Sequence, residues 1–349
     1  MNPTPINIVE QWINGDFESF EHFQDFIATS EQFGFLSIVE AAVHLQQDAL
    51  VEMCFPFLTA SEEAVIDVVR SRIFENRSLS DSIERALQVC CSKEHRDVHL
   101  EGRLRMERGL LRFETGDFEG AEADLTWAET RLKSVSKASK DHDLSLLNKA
   151  AFHLARGEQL MALQVYGEIS RHGGHAHETI AISRLGASRI YYGLGQLFDA
   201  ARHAWNAHYH SILAHQILMA IEAGTLFIEI GLGHQNEDAA EMHIQVEQSV
   251  PRDLTSSLPQ LSVHPNDIQN VFSWCVEQVN REVSGIHRPD LQAILRIALH
   301  LDDIDSVNFL IEKPNEVEDP YLAALCLTVV TDSDLVSLWN NRLSQLSQV

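Results

Sequence analysis

Three glycine turns between residues 101 and 214 decide how this chain is read: Gly116-Asp117-Phe118-Glu119-Gly120-Ala121, Gly157-Glu158-Gln159-Leu160-Met161-Ala162 and Gly195-Gln196-Leu197-Phe198-Asp199-Ala200. Each joins two amphipathic runs of helical length, and each sets an alanine five residues after the glycine. A small side chain at that place lets two antiparallel helices approach closely. The pattern predicts a helical hairpin repeated three times.

On the N-terminal side, Thr4 is placed to cap a helix beginning at Pro5, with Ile6, Ile8, Val9 and Trp12 as its apolar stripe. Gly15-Asp16-Phe17 echoes the later turns, but Phe17, Phe20, Phe23 and Phe26 stand where the central copies carry alanine, as in a degenerate end repeat. Residues 35–45 and 49–55 predict a second hairpin stopped by Pro56, and Thr59-Ala60-Ser61-Glu62 reads as a capping box opening a helix to Phe74. A short helix is expected over 81–91. On the C-terminal side the helical period lapses over 248–266, where Pro251, Pro259 and Pro265 predict a linker or long loop. Helical runs are expected at 267–283, 290–301, 304–312, 321–330 and 334–346, with residues 313–320 as a loop. The fold expected is all-α: an α-solenoid of antiparallel helical hairpins, with divergent hairpins in 1–95, repeats in 96–247, a linker at 248–266 and a helical module in 267–349. Residues 37–45 also align with 293–301, which fits either shared repeat ancestry or a shared amphipathic period.

The 349 residues carry 51 Asp and Glu against 26 Lys and Arg, a net charge of -25. That field repels phosphate backbones and anionic membrane surfaces, so direct nucleic-acid binding and membrane association are not expected. The acid excess serves either solubility or a basic partner. Cys54, Cys90, Cys91, Cys275 and Cys326 show no C-x-x-C spacing, and their odd number suits reduced thiols. No signal-peptide pattern opens the chain, and no apolar run approaches the ~20 residues that span a bilayer. A cytoplasmic location is expected.

The repeats resemble the tetratricopeptide repeat family, with Gly109, Gly116, Phe118, Ala121, Leu125 and Ala128 in the first copy. Ala150, Gly157, Ala162, Tyr166 and Ile169 follow in the second, and Ser188, Tyr191, Gly195, Leu197, Ala200 and Ala207 in the third. A fourth copy over 216–250 has its turn, Gly233-His234-Gln235-Asn236, out of register. The turn glycines are farther apart than the usual ~34 residues, which implies longer helices or longer loops. The resemblance implies a concave surface built by the first helix of each pair. Arg103, Met106, Glu107, Leu110 and Phe113 would line it, followed by Leu144, Leu147, Asn148, Ala151 and Leu154, then Ile182, Leu185, Arg189 and Tyr192. A face so apolar should bury a helix or an extended peptide, supplied by a partner or by the chain's own C-terminal helices. The family's clamp for acidic tails needs basic and amide residues on that surface. Only Asn148 fits, with Met106, Leu110, Ile182 and Gly186 at the other places, so that ligand is rejected.

No residue set declares a reaction. Of 18 histidines, one cluster is His172, His175 and His177, and another is His203, His208, His210 and His215 along the second helix of the third copy, where His208 and His215 would share a face. A metal needs ligands converging on one point, and H-E-x-x-H is missing, so no metal or cofactor is expected. Gly231-Leu232-Gly233 lacks the context of a dinucleotide loop and reads as a helix terminus. On the Cys90-Cys91 helix at most one sulfur can face the core, and Asp302, Asp303 and Asp305 form an acidic turn. The function expected is a non-catalytic scaffold or adaptor docking a protein or peptide segment along Met106, Leu110, Phe113, Leu147, Asn148, Ala151, Ile182, Leu185, Arg189 and Tyr192. The alternatives are a peptide-sensing regulator that repositions the C-terminal module and, third, an all-α enzyme or metal-binding protein.

Overall fold

The structure is a computed structural model that describes residue 9 and residues 34–74, 78–232, 265–281 and 288–347. Apart from Val9, the helix expected from Pro5 lies outside the described residues, as do the Gly15 turn, the fourth glycine turn and residues 248–264 of the expected linker. Sixteen α-helices and no strand occur among the described residues, and successive helices pack in neighbouring pairs. The chain divides into two compact units, residues 1–156 and 157–349.

Unit 1 runs through α1 (Phe35–His44), α2 (Asp48–Cys54), α3 (Ala60–Ile73), α4 (Leu79–Cys90), α5 (Val98–Glu114), α6 (Phe118–Val135) and α7 (Lys140–Ala155). Local signals explain the starts. Thr59 Oγ1 accepts from the Glu62 amide at 3.3 Å while Glu62 accepts from the Thr59 amide at 2.8 Å, so the expected capping box is formed. Asp117 and Ser139 cap α6 and α7 in the same way, each accepting from a backbone amide three residues on. The core passes along the row in steps. Ile66 and Val69 of α3 join the first hairpin, Val65 and Val68 join Leu100 and Leu104 of α5, and Met106 packs with Ala121, Leu125, Ala128 and Phe152.

Unit 2 contains α8 (Gln159–Glu168), α9 (His177–Gly193), α10 (Leu197–Leu213), α11 (Ile217–Leu232), α12 (Pro265–Asn280), α13 (Arg288–Leu301), α14 (Asn308–Ile311), α15 (Pro320–Val329) and α16 (Ser333–Leu346). Where one helix was expected over 304–312, a 3-10 turn at Asp305–Val307 precedes the single turn of α14, and the expected 313–320 loop contains a 3-10 turn, Pro314–Glu316. α12 approaches α11 at Gly224, where an added Cβ would lie 3.0 Å from Val271 and 3.1 Å from Cys275. Trp339 of α16 is fully buried, and its Nε1–H donates to the Ile311 carbonyl at 2.9 Å.

The three turn glycines behave as the spacing requires. Gly116, Gly157 and Gly195 have φ of 85, 74 and 72°, in the left-handed region that glycine enters without penalty. The Asp117 amide bonds back to the Arg112 carbonyl and the Gln196 amide to Tyr191, both at 2.8 Å, closing the helix ends. Ala121, Ala162 and Ala200 are wholly buried. At the facing positions Gly109 touches Leu125, and Ser188 donates its hydroxyl to the Ala200 carbonyl at 2.8 Å. The same turn also recurs without glycine, at Gln46, His215 and Asp302, with φ of 55, 58 and 56°. α10 therefore ends before His215, which does not share a helix face with His208.

Candidate binding face of the first helices

The side chains expected to line the groove lie on α5 and α7 in unit 1 and on α9 in unit 2. Their environments differ from a uniform apolar stripe. In unit 1, Met106 is buried and Phe113 packs on Phe118 and Phe152 with ring centroids 5.6 Å apart. Both belong to the core between α5, α6 and α7. Leu110 is 37% exposed, Leu147 and Asn148 are half-buried, and Ala151 is exposed.

Arg103, Glu107 and Leu110 share one face of α5 by their spacing, and the first two belong to a band of ion pairs. Arg103 donates to Glu40 of α1 at 2.6 Å and lies 3.6 Å from Asp141 of α7, while Glu107 pairs with Arg72 of α3. His99 bonds Asp141 through Nε2 at 2.6 Å and Ser136 through Nδ1 at 3.0 Å. Burial pushes the Asp141 carboxyl up, but the His99 hydrogen bond and the Arg103 charge outweigh it and hold it below the usual value. Burial likewise opposes the Arg103 charge, and Glu40 and Asp141 more than restore it. The expectation of an unusually apolar surface is thus corrected for unit 1, because charged partners on neighbouring helices neutralise one another across it.

In unit 2, Leu185 is buried against Ala207 and Ala223 and belongs to the core. Ile182 is half-buried, Tyr192 is 51% exposed, and the exposed Arg189 pairs with Glu222 of α11. One step on, Glu229 of α11 accepts from Arg296 of α13 at 2.7 Å. Burial raises the Glu229 carboxyl above its ordinary range, and Arg296 partly offsets this. Between α9, α11 and α13 lies a cleft of about 290 Å³ lined by these four charged residues and Asp290, with Thr225, Leu226 and Ala293. The C-terminal helices seat on α10 and α11, with Trp274 edge-on to His208 at 5.0 Å and Arg296 on Glu229, and leave Tyr192 half exposed.

The partners Glu40, Arg72, Asp141, Glu222, Glu229 and Arg296 escape a reading built on apolar periodicity. A signal was present. Arg72 and Glu107, Glu107 and Asp141, and Arg189 and Glu222 are oppositely signed residues or like acids about 33–35 apart in sequence, the separation over which a helix can meet the next helix but one.

Elsewhere, His203, His208 and His210 address three different neighbours. His203 stacks on Tyr191 at 5.2 Å, His208 donates Nδ1–H to the Ala220 carbonyl at 2.8 Å, and His210 meets His177. Cys90 is buried and Cys91 exposed, as one helix face requires, and burial pushes both thiols above the ordinary value. The Asp302 turn is closed by Ser306, whose hydroxyl donates to Asp303 at 2.7 Å. No helix among the described residues is long and apolar enough to cross a membrane. No family model, curated protein or solved structure matches the chain.

Proposed function

We propose that this chain is a non-catalytic docking scaffold, a tetratricopeptide-like array of helical hairpins that takes a peptide or helix from another protein along its first helices. The observation that carries the reading is the half-exposed Tyr192 on α9, one helical turn from Arg189, which lines the charged cleft of about 290 Å³ between α9, α11 and α13. A large aromatic left in water next to fixed, paired charges is the composition of a binding hot spot, where the ring supplies buried area and the charges set register. Leu110 on α5 and Leu144 on α7 present smaller apolar contacts in unit 1. Met106, Phe113 and Leu185 serve the reading indirectly, as the packed layer that holds the face in place.

The test compares proteins captured by the full chain with those captured by the Tyr192→Glu and Leu110→Glu variants, with circular dichroism as the control. A partner lost by the variants while their helicity stays native supports the reading. Undiminished capture by both variants overturns it.

A further inference from the structure

His177 lies at the start of α9 and His210 near the end of α10, and their Nδ1 atoms are 2.7 Å apart with the rings stacked at 5.0 Å. His210 is almost wholly buried. A hydrogen bond between two imidazole Nδ1 atoms requires one to carry its proton and the other to present its lone pair. Two neutral rings satisfy this, and so does one neutral and one charged ring, because the donor can take an extra proton on Nε2. When both rings are charged, both Nδ1 atoms carry hydrogen, the acceptor is gone, and two like charges face each other at contact distance.

Among the described residues, the charges acting on His210 include no anion. Acting on it are His177 and Arg184 of α9 and Arg171 of the turn before α9, all cations or groups that become cations. On α11, the other helix packed against α10, Glu222 and Glu229 are engaged with Arg189 and Arg296. We propose that the His177–His210 pair is a latch between α9 and α10 that acid opens.

Two further histidines on α10 act in the same sense. His203 has its Nδ1 buried without a hydrogen-bond partner, stacked on Tyr191 and flanked by Arg184 and Arg202. His208 is buried between the Ala220 carbonyl and Trp274. Burial, then neighbouring cations, holds His210 down to about 4 and His203 to about 3, and burial lowers His208 as well. Each folded value lies below that of a free imidazole, so the unfolded chain binds more protons as pH falls below about 6.5, and the stability these rings lend at neutral pH is lost. Three such groups on one helix make that loss cooperative. The inference is independent of any docked partner, since its readout is the fold itself.

Hydrogen exchange on the full chain tests it. Between about pH 7 and about pH 5, protection factors of α9 and α10, corrected for intrinsic rates, should fall by more than about twentyfold, roughly twentyfold of it from His210, while those of α5 and α6 hold. In His210→Gln, which keeps a hydrogen-bonding group and cannot titrate, the fall should be smaller by roughly twentyfold, the remainder coming from His203 and His208. No fall in the native chain, or an equal fall in the variant, overturns the proposal. Should the variant not fold at neutral pH, titration of the His210 ring in the native chain by NMR decides: a ring still neutral near pH 5 supports the latch, and one that titrates like a free imidazole refutes it.

Discussion

Units 1 and 2 close similar helical hairpins with different chemistry. In unit 1, the buried Asp124 of α6 accepts from three arginines of α5, with Arg105 at 3.3 Å, Arg108 at 2.7 and 2.8 Å and Arg112 at 2.8 Å. Arg105 in turn reaches Glu101 and covers the Trp127 ring, and Arg108 reaches Glu84. In unit 2, α10 meets its neighbours through imidazoles held neutral, through alanines, and through rings of Tyr191 and Trp274. A hairpin can therefore be locked by full charges or by rings that must stay uncharged, and the two locks fail under different conditions.

The largest effect is expected where the charged lock is broken. Asp124→Ala leaves three arginines facing one another in a partly buried site and should cost unit 1 roughly 3–5 kcal/mol, read from denaturant unfolding. A loss below about 1 kcal/mol would show that the arginines find other acids and that the network is dispensable.

The neutral lock should fail in acid. His210 alone, held near 4 in the fold, withdraws up to about 3 kcal/mol from unit 2 as pH falls from about 6.5 to about 4. Unit 1 loses stability in the same direction but in a lower window: the carboxyl of Asp141 is depressed, so its contribution is complete above its ordinary 3.8 and is lost only below that. Acid unfolding followed by a probe in each unit should show unit 2 melting first. Coincident transitions would remove the distinction.

Close packing is common to both units and gives the next effect. Gly109 has Leu125 Cγ 3.0 Å and the Ala121 carbonyl 3.3 Å from where a Cβ would sit, so Gly109→Val should cost about 1–3 kcal/mol by forcing α5 from α6. A neutral outcome in thermal unfolding would mean that Leu125 has room to turn aside. A gain is expected at one of the turns that lack glycine. His215→Gly relieves a left-handed residue after α10 and should stabilise unit 2 by roughly 0.5–1 kcal/mol. The smallest change in stability, within about 0.5 kcal/mol, is expected for Tyr192→Glu, because the ring is half in water. A variant that loses its partner and also unfolds would show Tyr192 to be a packing residue.

The helices themselves were legible because their causes are local. The Thr59 capping box, the left-handed Gly116, Gly157 and Gly195, and the buried Ala121, Ala162 and Ala200 each follow from a few residues in a row. Turns were expected near Gln46 and at Asp302, but their left-handed backbone was not, because it matches that of Gly116 while the side chain does not announce it. Their geometry is imposed by the helices they join.

The candidate face was legible only as a stripe. Periodicity places Met106, Leu110, Leu185 and Tyr192 on the first helices, yet two of these are core and two are exposed, a division set by what packs against each residue. The ion pairs of Arg103 with Glu40 and of Arg296 with Glu229 join helices far apart in sequence, and His177 meets His210 only because the α9–α10 hairpin brings its two open ends together. Sequence alone determined an all-helical chain, its turns and its close-packed positions, since helix period, capping and glycine conformation act over a few residues. Tertiary structure alone decided which side chains face water and which charges and rings meet, because burial and electrostatics depend on neighbours that only folding brings within reach.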